Sequence, residues 1–229
     1  MAELGTLAIL LALALALYAS AGFVAGYLLR LPELTVSARR AAYLTLPVTL
    51  AAAGALVAAF VSHDFSIEYV AKHSNRAMDP AYTWVAMYAG NEGSLLYIAL
   101  ALSLMSALAI RFAPERLARS IPWTIAILAG VQAFYFFALA FFASPFATLD
   151  VIPADGRGIN PLLTHPGMFT HPPMLMAGLV GITVPFAFAA GALIAGNYGD
   201  DWVDVARVSS IIVWGVLGVG LLIGAWWAY

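Results

Sequence analysis

Six long apolar runs without charged residues constrain this sequence more than any other feature. Each run has close to the ~20 residues with which an α-helix crosses a bilayer, at about 1.5 Å per residue. The runs are continuously apolar, whereas the strands of a membrane barrel alternate over about 10 residues. We therefore predict an all-α integral membrane protein that forms one membrane domain over residues 1–229. The predicted spans are Leu4–Leu29, Ala41–Ser62, Ser94–Ile110, Ile121–Ala143, Met174–Gly196 and Val208–Tyr229.

The composition excludes several classes of protein. Only 10% of the residues are charged and 63% are hydrophobic, whereas about 25% of a soluble domain is charged. A net charge of −2 provides no basic surface, so we expect no nucleic-acid partner. The chain has no cysteine, which excludes disulfides and thiolate metal sites within it. Imidazole chemistry is restricted to four histidines, which are His63, His73, His165 and His171.

The basic residues predict an orientation, because Lys and Arg accumulate in short cytoplasmic loops. Six arginines lie in the linkers after the first and third spans: Arg30, Arg39, Arg40, Arg111, Arg116 and Arg119. The two long loops, 63–93 and 144–173, carry only three basic residues between them. We therefore predict that both long loops and both termini lie outside, and that the short basic linkers are cytoplasmic.

The predicted spans contain no Asp, Glu, Lys, Arg or His. Ionisable groups inside the membrane mark proton relays and ion pathways. Their absence argues against a pump or a proton-coupled transporter. It also argues against a conduit for a small molecule, because the spans provide no polar pathway.

The loop 144–173 ends in a proline-stiffened histidine. A residue before Pro is biased away from the helical region, so we predict His171 on extended backbone before the fifth span. Pro172 and Pro173 suit the first turn of that helix. This stiff mount suits an axial ligand of a metal or haem, although from the residues alone a hydrogen-bonded interfacial histidine is the commoner arrangement. His165 lies six residues earlier, so the two histidines do not share a helix face and do not predict a two-histidine metal clamp.

Polar residues of the loop 63–93 have both structural and functional interpretations. Ser94 is expected to cap the third span, and Glu92 lies where a negative charge favours the helix N-terminus. Contact with a bound partner or ligand is the functional alternative for Glu92. His63 and His73 are expected to be solvated loop residues.

Short strings in a fixed order carry a family resemblance. They are D-F-S-I-E-Y-V-A-K-H-S-N at Asp64–Asn75, A-Y at Ala81–Tyr82, E-G-S-L-L at Glu92–Leu96, D-G-R-G-I-N-P-L-L at Asp155–Leu163, H-P-G-M at His165–Met168, H-P-P-M at His171–Met174, V-P-F-A-F-A at Val184–Ala189 and W-W-A-Y at Trp226–Tyr229. Together they resemble the cytochrome c maturation protein F (CcmF) family of haem-handling proteins. The resemblance runs from about Leu4 to the last residue.

The resemblance implies part of a haem lyase, which receives haem from a haem chaperone and helps attach it covalently to apocytochrome c. By the H-P-P match, His171 takes the place of a haem-ligating histidine, and Trp226 and Trp227 lead into a haem-holding, tryptophan-rich WWD segment. The cofactor-binding candidates are His171, Trp226, Trp227, Arg157, Asn160, Pro172 and Pro173. The candidates for contact with a partner are Glu92, His73 and His165.

The chain also departs from the family pattern. Tyr88 and Asn91 replace a Trp and a His that are usual before the third span, and His165 stands where an acidic residue is common. The WWD segment and the family's other haem-ligating histidines are not in this sequence. We therefore expect an N-terminal portion of a larger architecture that binds haem transiently and does not complete ligation alone.

The partners implied by the resemblance are a haem chaperone, apocytochrome c with its thiol-handling delivery proteins, and a C-terminal haem-lyase polypeptide. The implied location is a bacterial inner membrane, and no metal is expected beyond haem iron. A non-catalytic membrane scaffold or docking subunit remains the alternative function. A haem conduit is the third.

Overall fold

Residues 1–229 are described by a computed structural model in which α-helices form nearly all regular structure. The helices are α1 (Ala2–Leu28), α2 (Pro32–Val61), α3 (Glu68–His73), α4 (Pro80–Thr83), α5 (Asn91–Arg111), α6 (Ile121–Phe141), α7 (His171–Gly181), α8 (Thr183–Ile194) and α9 (Val203–Ala228). Six segments are long and apolar enough to span a membrane, with α7 and α8 forming one span. The prediction of an all-α, multi-pass membrane protein is confirmed.

The helix ends differ from the prediction mainly at α2, which begins at Pro32 instead of Ala41. Proline has the fixed φ that suits a first helical turn, and Glu33 favours the positive end of the helix dipole. Arg39 and Arg40 therefore lie on α2, and their placement in a linker is wrong.

Contacts at the helix termini divide the bundle into two ends. At one end, which we call the loop end, Gly5 of α1 packs against Phe146 and the last turn of α9 packs against Gly167. At the other, the linker end, Arg116 lies 3.5 Å from Asp204. Both termini and both long loops thus share the loop end.

The core extends from the membrane helices into the loops. Phe60 of α2 and Phe136 of α6 are fully buried, and they belong to one cluster with Ile67 and Met168 of the long loops. A second cluster includes Phe23 of α1 and lies along the rest of the bundle. The loop residues therefore pack onto the helices as part of the same core.

The two long loops are joined to each other by main-chain hydrogen bonds, which we call the loop seam. The bonds run from Glu68 N to Ala147 O, Leu149 N to Ser66 O, Arg157 N to Ala71 O and Gly158 N to Ser74 O, at 2.8–3.1 Å. The carboxylate of Asp155 also accepts from the Arg76 backbone N–H at 2.9 Å, and this bond holds the pKa of Asp155 below its usual value. The loops thus form one cap over the bundle.

Helix α9 is the least buried span, since only Val213 and Gly220 among its residues are buried. Its inward side contacts α7 and α8. A Cβ added to Gly178 of α7 would lie 2.7 Å from the Cα of Leu217, which is too close for any side chain. Glycine therefore permits the close approach of α7 and α9, which is typical of membrane helix pairs.

Candidate functional site

His171 is the first residue of α7, and its ring is held by α9. Its Nδ1 lies 2.8 Å from the carbonyl oxygen of Gly220. A carbonyl only accepts hydrogen bonds, so Nδ1 carries a proton, and in the neutral ring Nε2 keeps its lone pair. Histidines that bind metals are commonly oriented in this way, through a hydrogen bond from the other ring nitrogen.

The predicted extended backbone at His171 is wrong. The helix already includes this residue, and a bond from Met174 N to Thr170 O at 3.1 Å closes the first turn around it. Pro172 and Pro173 lie in that turn, as predicted. Their missing N–H groups would have no helical partner at this position, so they do not oppose the helix.

Space for the His171 ring comes from α9. A Cβ added to Gly224 would lie 2.7 Å from His171 Nδ1 and 3.2 Å from Nε2. A Cβ on Gly220 would lie 2.9 Å from the backbone nitrogen of Leu175. The two glycines are four residues apart and thus lie on one helix face. Sequence reasoning did not place them in the site, although their G-x-x-x-G spacing was a signal of close helix packing.

Two tryptophans at the end of α9 complete an aromatic cluster with the loop histidines. The ring of Trp227 is perpendicular to that of His171, with centroids 5.7 Å apart. His165 stacks on Trp227, with centroids 5.5 Å apart and planes inclined by 12°, and its centroid lies 4.9 Å from that of Trp226. The structure therefore brings together four of the candidate residues. No group of three metal-ligating side chains occurs in the chain.

His165 has a different hydrogen bond from His171. It is the N-cap of a short 3₁₀ helix, Pro166–Phe169, and its Nδ1 accepts the N–H of Gly167 at 3.0 Å. Nδ1 is therefore unprotonated, and the proton of the neutral ring is on Nε2. The two histidines thus have opposite tautomers.

The segment that carries His165 is anchored on the other long loop. The Tyr88 hydroxyl donates to the carbonyl oxygen of Met168 at 3.2 Å, and burial raises the pKa of Tyr88, so the hydroxyl stays a donor. Ser94 donates to the carbonyl of Tyr88 at 3.0 Å. Helix α5 has Gly90 as its N-cap, so the prediction that Ser94 caps it is wrong.

A second polar cluster lies where α3 meets the start of α5. The buried Tyr69 hydroxyl donates to Met87 O at 3.1 Å and accepts from Gly90 N at 2.8 Å. Burial is the main cause that raises its pKa, and Glu92 in the first turn of α5 contributes. His73 donates from Nδ1 to the carbonyl of Tyr69 at 2.9 Å, and its ring packs against that of Tyr69 at a tilt of 40°, with centroids 4.3 Å apart. His73 is half-buried, so its prediction as a solvated residue is wrong.

His63, the other histidine predicted to be solvated, is also half-buried. It follows the end of α2 with a φ of 53° and packs its ring against Phe65. The left-handed conformation ends the helix and turns the chain into the cap.

Arg157 and Asn160 lie apart from the aromatic cluster. Arg157 borders a cleft of about 290 Å³ with Lys72 and Glu68, and it bonds to the loop seam. Asn160 caps the 3₁₀ turn Pro161–Leu163 by accepting a hydrogen bond from Leu162 N at 3.1 Å. No hydrogen bond or ring contact joins either residue to His171.

Comparison with known proteins decides the family. The model of a family described as "Cytochrome C assembly protein" matches residues 88–229. The chain belongs to this family. It is 36% identical to a "Cytochrome c-type biogenesis protein CcmF" of Pseudomonas aeruginosa over 99% of this chain and 35% of that protein. It is 34% identical to "Cytochrome c-type biogenesis protein NrfE" of Haemophilus influenzae, over 99% of this chain and 36% of that one.

A solved structure gives the same result for the fold. The "Cytochrome c Heme Lyase CcmF" matches with a TM-score of 0.85 and 34% identity over 100% of this chain and 36% of that chain. The resemblance to the CcmF family is therefore confirmed. The chain spans about a third of the length of the relatives it matches.

Proposed function

We propose that the chain acts in cytochrome c biogenesis as part of a haem lyase, and that His171 ligates the iron of the haem being transferred. The observation that carries the proposal is the bond from His171 Nδ1 to Gly220 O, which leaves Nε2 with a lone pair for iron. The names of the relatives, cytochrome c biogenesis proteins and a haem lyase, support the reaction.

The residues present fit a haem. A ligating imidazole needs one free nitrogen and a fixed ring plane, and the Gly220 carbonyl, the Gly224 surface and Trp227 together provide both. Trp226, whose ring contacts that of His165, is 60% exposed and offers an apolar face to a porphyrin. The haem supplies the vinyl groups to which the cysteine thiols of apocytochrome c add, and His171 holds it in place for that addition.

One imidazole supplies only one side of the iron. We propose that a C-terminal haem-lyase polypeptide supplies the remaining contacts, that a haem chaperone delivers the haem and that thiol-handling proteins present apocytochrome c. The chain alone is then expected to retain little haem and to complete no ligation. Glu92 and His73 remain candidates for contact with these partners. Arg157 and Asn160 lie in the cap and remain candidates for contact with haem, although neither contacts His171.

The proposal is tested by His171→Ala in the organism that carries this chain. We expect loss of haem-stained cytochromes c while the variant still accumulates in the membrane. His63→Asn is the matched control, because Asn tolerates the left-handed backbone of His63 and lies outside the aromatic cluster. Normal cytochrome c assembly in His171→Ala would overturn the ligand role.

Only 11% of the α9 span is buried, against 39–50% of each other span, and this unusually open face favours one alternative, a non-catalytic docking subunit for another membrane polypeptide. In that case, His171→Ala would be tolerated, whereas a deletion in the cap would abolish cytochrome c assembly. The two functions therefore give opposite results for the same variant.

We also propose that the loop end faces away from the cytoplasm in a bacterial inner membrane, as the arginines at the linker end indicate. Because the chain has no cysteine, single cysteines report sidedness directly. Val151→Cys, at a site that is 83% exposed in the cap, should react with a membrane-impermeant maleimide on intact spheroplasts. Tyr198→Cys, at an 80% exposed linker-end site, should react only after lysis. The reverse pattern would refute the orientation.

A further inference from the structure

We propose that His165 is a positioning residue, whose ring stacks on Trp227 and thereby holds the His171 ring in its ligating orientation. This inference rests on the proposed role of His171 as an iron ligand. It assigns His165 a role without contact between its own nitrogens and the iron.

The capping role of His165 does not explain its ring. At an N-cap the preferred residues are Asn, Asp and Ser, whose short side chains accept the same backbone N–H. His165 accepts from Gly167 at 3.0 Å as those residues would. In addition, its ring makes the stacked contact with Trp227 and the tilted contact with Trp226.

The tautomer of His165 excludes it as an iron ligand in this arrangement. Nδ1 is occupied by the Gly167 N–H, so Nε2 of the neutral ring carries the proton and has no free lone pair. His171 has the opposite arrangement. One histidine of the cluster is thus arranged to ligate and the other to pack.

The stack acts on His171 through α9. Gly220, Gly224 and Trp227 occur at positions i, i+4 and i+7, so they lie along one face of the helix. All three contact the ring of His171. The other faces of α9 have few buried residues to hold its last turns. Contact with His165 therefore fixes the position of the helix end from which His171 is oriented.

The experiment compares His165→Asn with His165→Phe in the full chain, in lipid nanodiscs without haem. Asn keeps the capping acceptor and removes the ring, whereas Phe keeps a ring and removes the acceptor. Nitrogen-15 NMR of labelled histidine reports the tautomer of each ring, and the four histidines are few enough to assign by single substitutions.

We expect the wild type to show His171 protonated on Nδ1 and His165 protonated on Nε2. In His165→Asn, the ratio of the two His171 tautomers should shift by roughly two- to tenfold, the size expected for loss of one aromatic pair. In His165→Phe the ratio should stay close to that of the wild type. A shift in the Phe variant alone would overturn the proposal, because the cap would then be the important contact.

Trp227→Leu gives an independent test from the other partner of the stack. It should shift the His171 ratio as His165→Asn does, and the double variant should show little further change, since both remove one contact. Additive shifts would refute the proposal. No haem is present in this experiment. An unchanged ratio of the His171 tautomers in His165→Asn would therefore refute this inference alone, whereas normal cytochrome c assembly in His171→Ala would refute the proposed function alone.

Discussion

Replacing Gly224 by alanine tests how the His171 ring is held. The new Cβ would lie closest to Cε1 of the His171 ring and 2.7 Å from Nδ1, whereas ordinary contact begins at 3.4 Å, so Nδ1 must move by at least about 0.7 Å. If the ring moves directly away from α9, a displacement of this size lengthens the bond to Gly220 O from 2.8 Å to about 3.5 Å. That exceeds the range of about 2.7–3.2 Å for an N–H···O bond, so the bond is lost.

Loss of this bond should weaken haem binding. Partners that orient a metal-ligating histidine are typically worth 10- to 100-fold in metal affinity, and we expect that range for Gly224→Ala. The measurement is a haemin titration of the full chain in nanodiscs, followed by quenching of tryptophan fluorescence. A ratio of dissociation constants is sufficient, so weak binding by the chain alone does not prevent the comparison. His171→Ala defines the signal that remains when haemin partitions into lipid.

Gly218→Ala is the matched control on the same helix. No atom lies within 4 Å of the Cβ that it adds, and both variants gain the same helix propensity of about 1 kcal/mol. We expect Gly218→Ala to bind haemin as the wild type does. Equal dissociation constants for the two alanine variants would refute the steric reasoning and the importance of the Gly220 bond.

Three further variants test the cap and the helix contacts that support the site. Tyr69→Phe removes two hydrogen bonds from a buried hydroxyl and should cost about 1–3 kcal/mol, seen as a lower melting temperature in detergent that Tyr18→Phe, at an exposed site, does not show. Because the pKa of Asp155 is lowered in the folded protein, its carboxylate stabilises the cap above the ordinary pKa of 3.8, and this stabilisation is lost as pH falls through the folded pKa. Proteolysis of the cap should therefore increase in acid, and Asp155→Asn should remove this acid dependence. Gly178→Val places side-chain atoms against the backbone of Leu217 and should separate α7 from α9, which protease sensitivity or a melting curve would detect; an unchanged melting temperature would contradict the close approach.

The membrane spans were predictable because the bilayer imposes about 20 apolar residues on each helix, whatever its neighbours are. The same criterion failed for the start of α2. A helix can continue beyond the apolar region wherever its backbone hydrogen bonds are satisfied, so α2 includes Arg39 and Arg40 although they end the apolar run. Apolar runs therefore locate the crossing and not the helix.

The site was only partly predictable. The H-P-P string and the resemblance pointed to His171, but its partners Gly220 and Trp227 lie on another span, and their distance depends on how α7 packs against α9. The conformation of His171 was mispredicted because a local backbone bias was outweighed by the helical bond from Met174 to Thr170. The stacking of His165 could not be predicted from the sequence, in which the only signal was a histidine before a proline at a position where an acidic residue is common.

The loop seam has a consequence for biosynthesis. Glu68 and Ala147 bond to each other, yet the chain between them crosses the membrane out and back through α5 and α6. Insertion of that helical hairpin must therefore precede closure of the seam, and neither loop has its hydrogen-bonding partner while the ribosome is still making the first three spans. The cap is thus completed late, and a defect in inserting α5 or α6 would disrupt it without touching any residue that contacts the imidazole of His171.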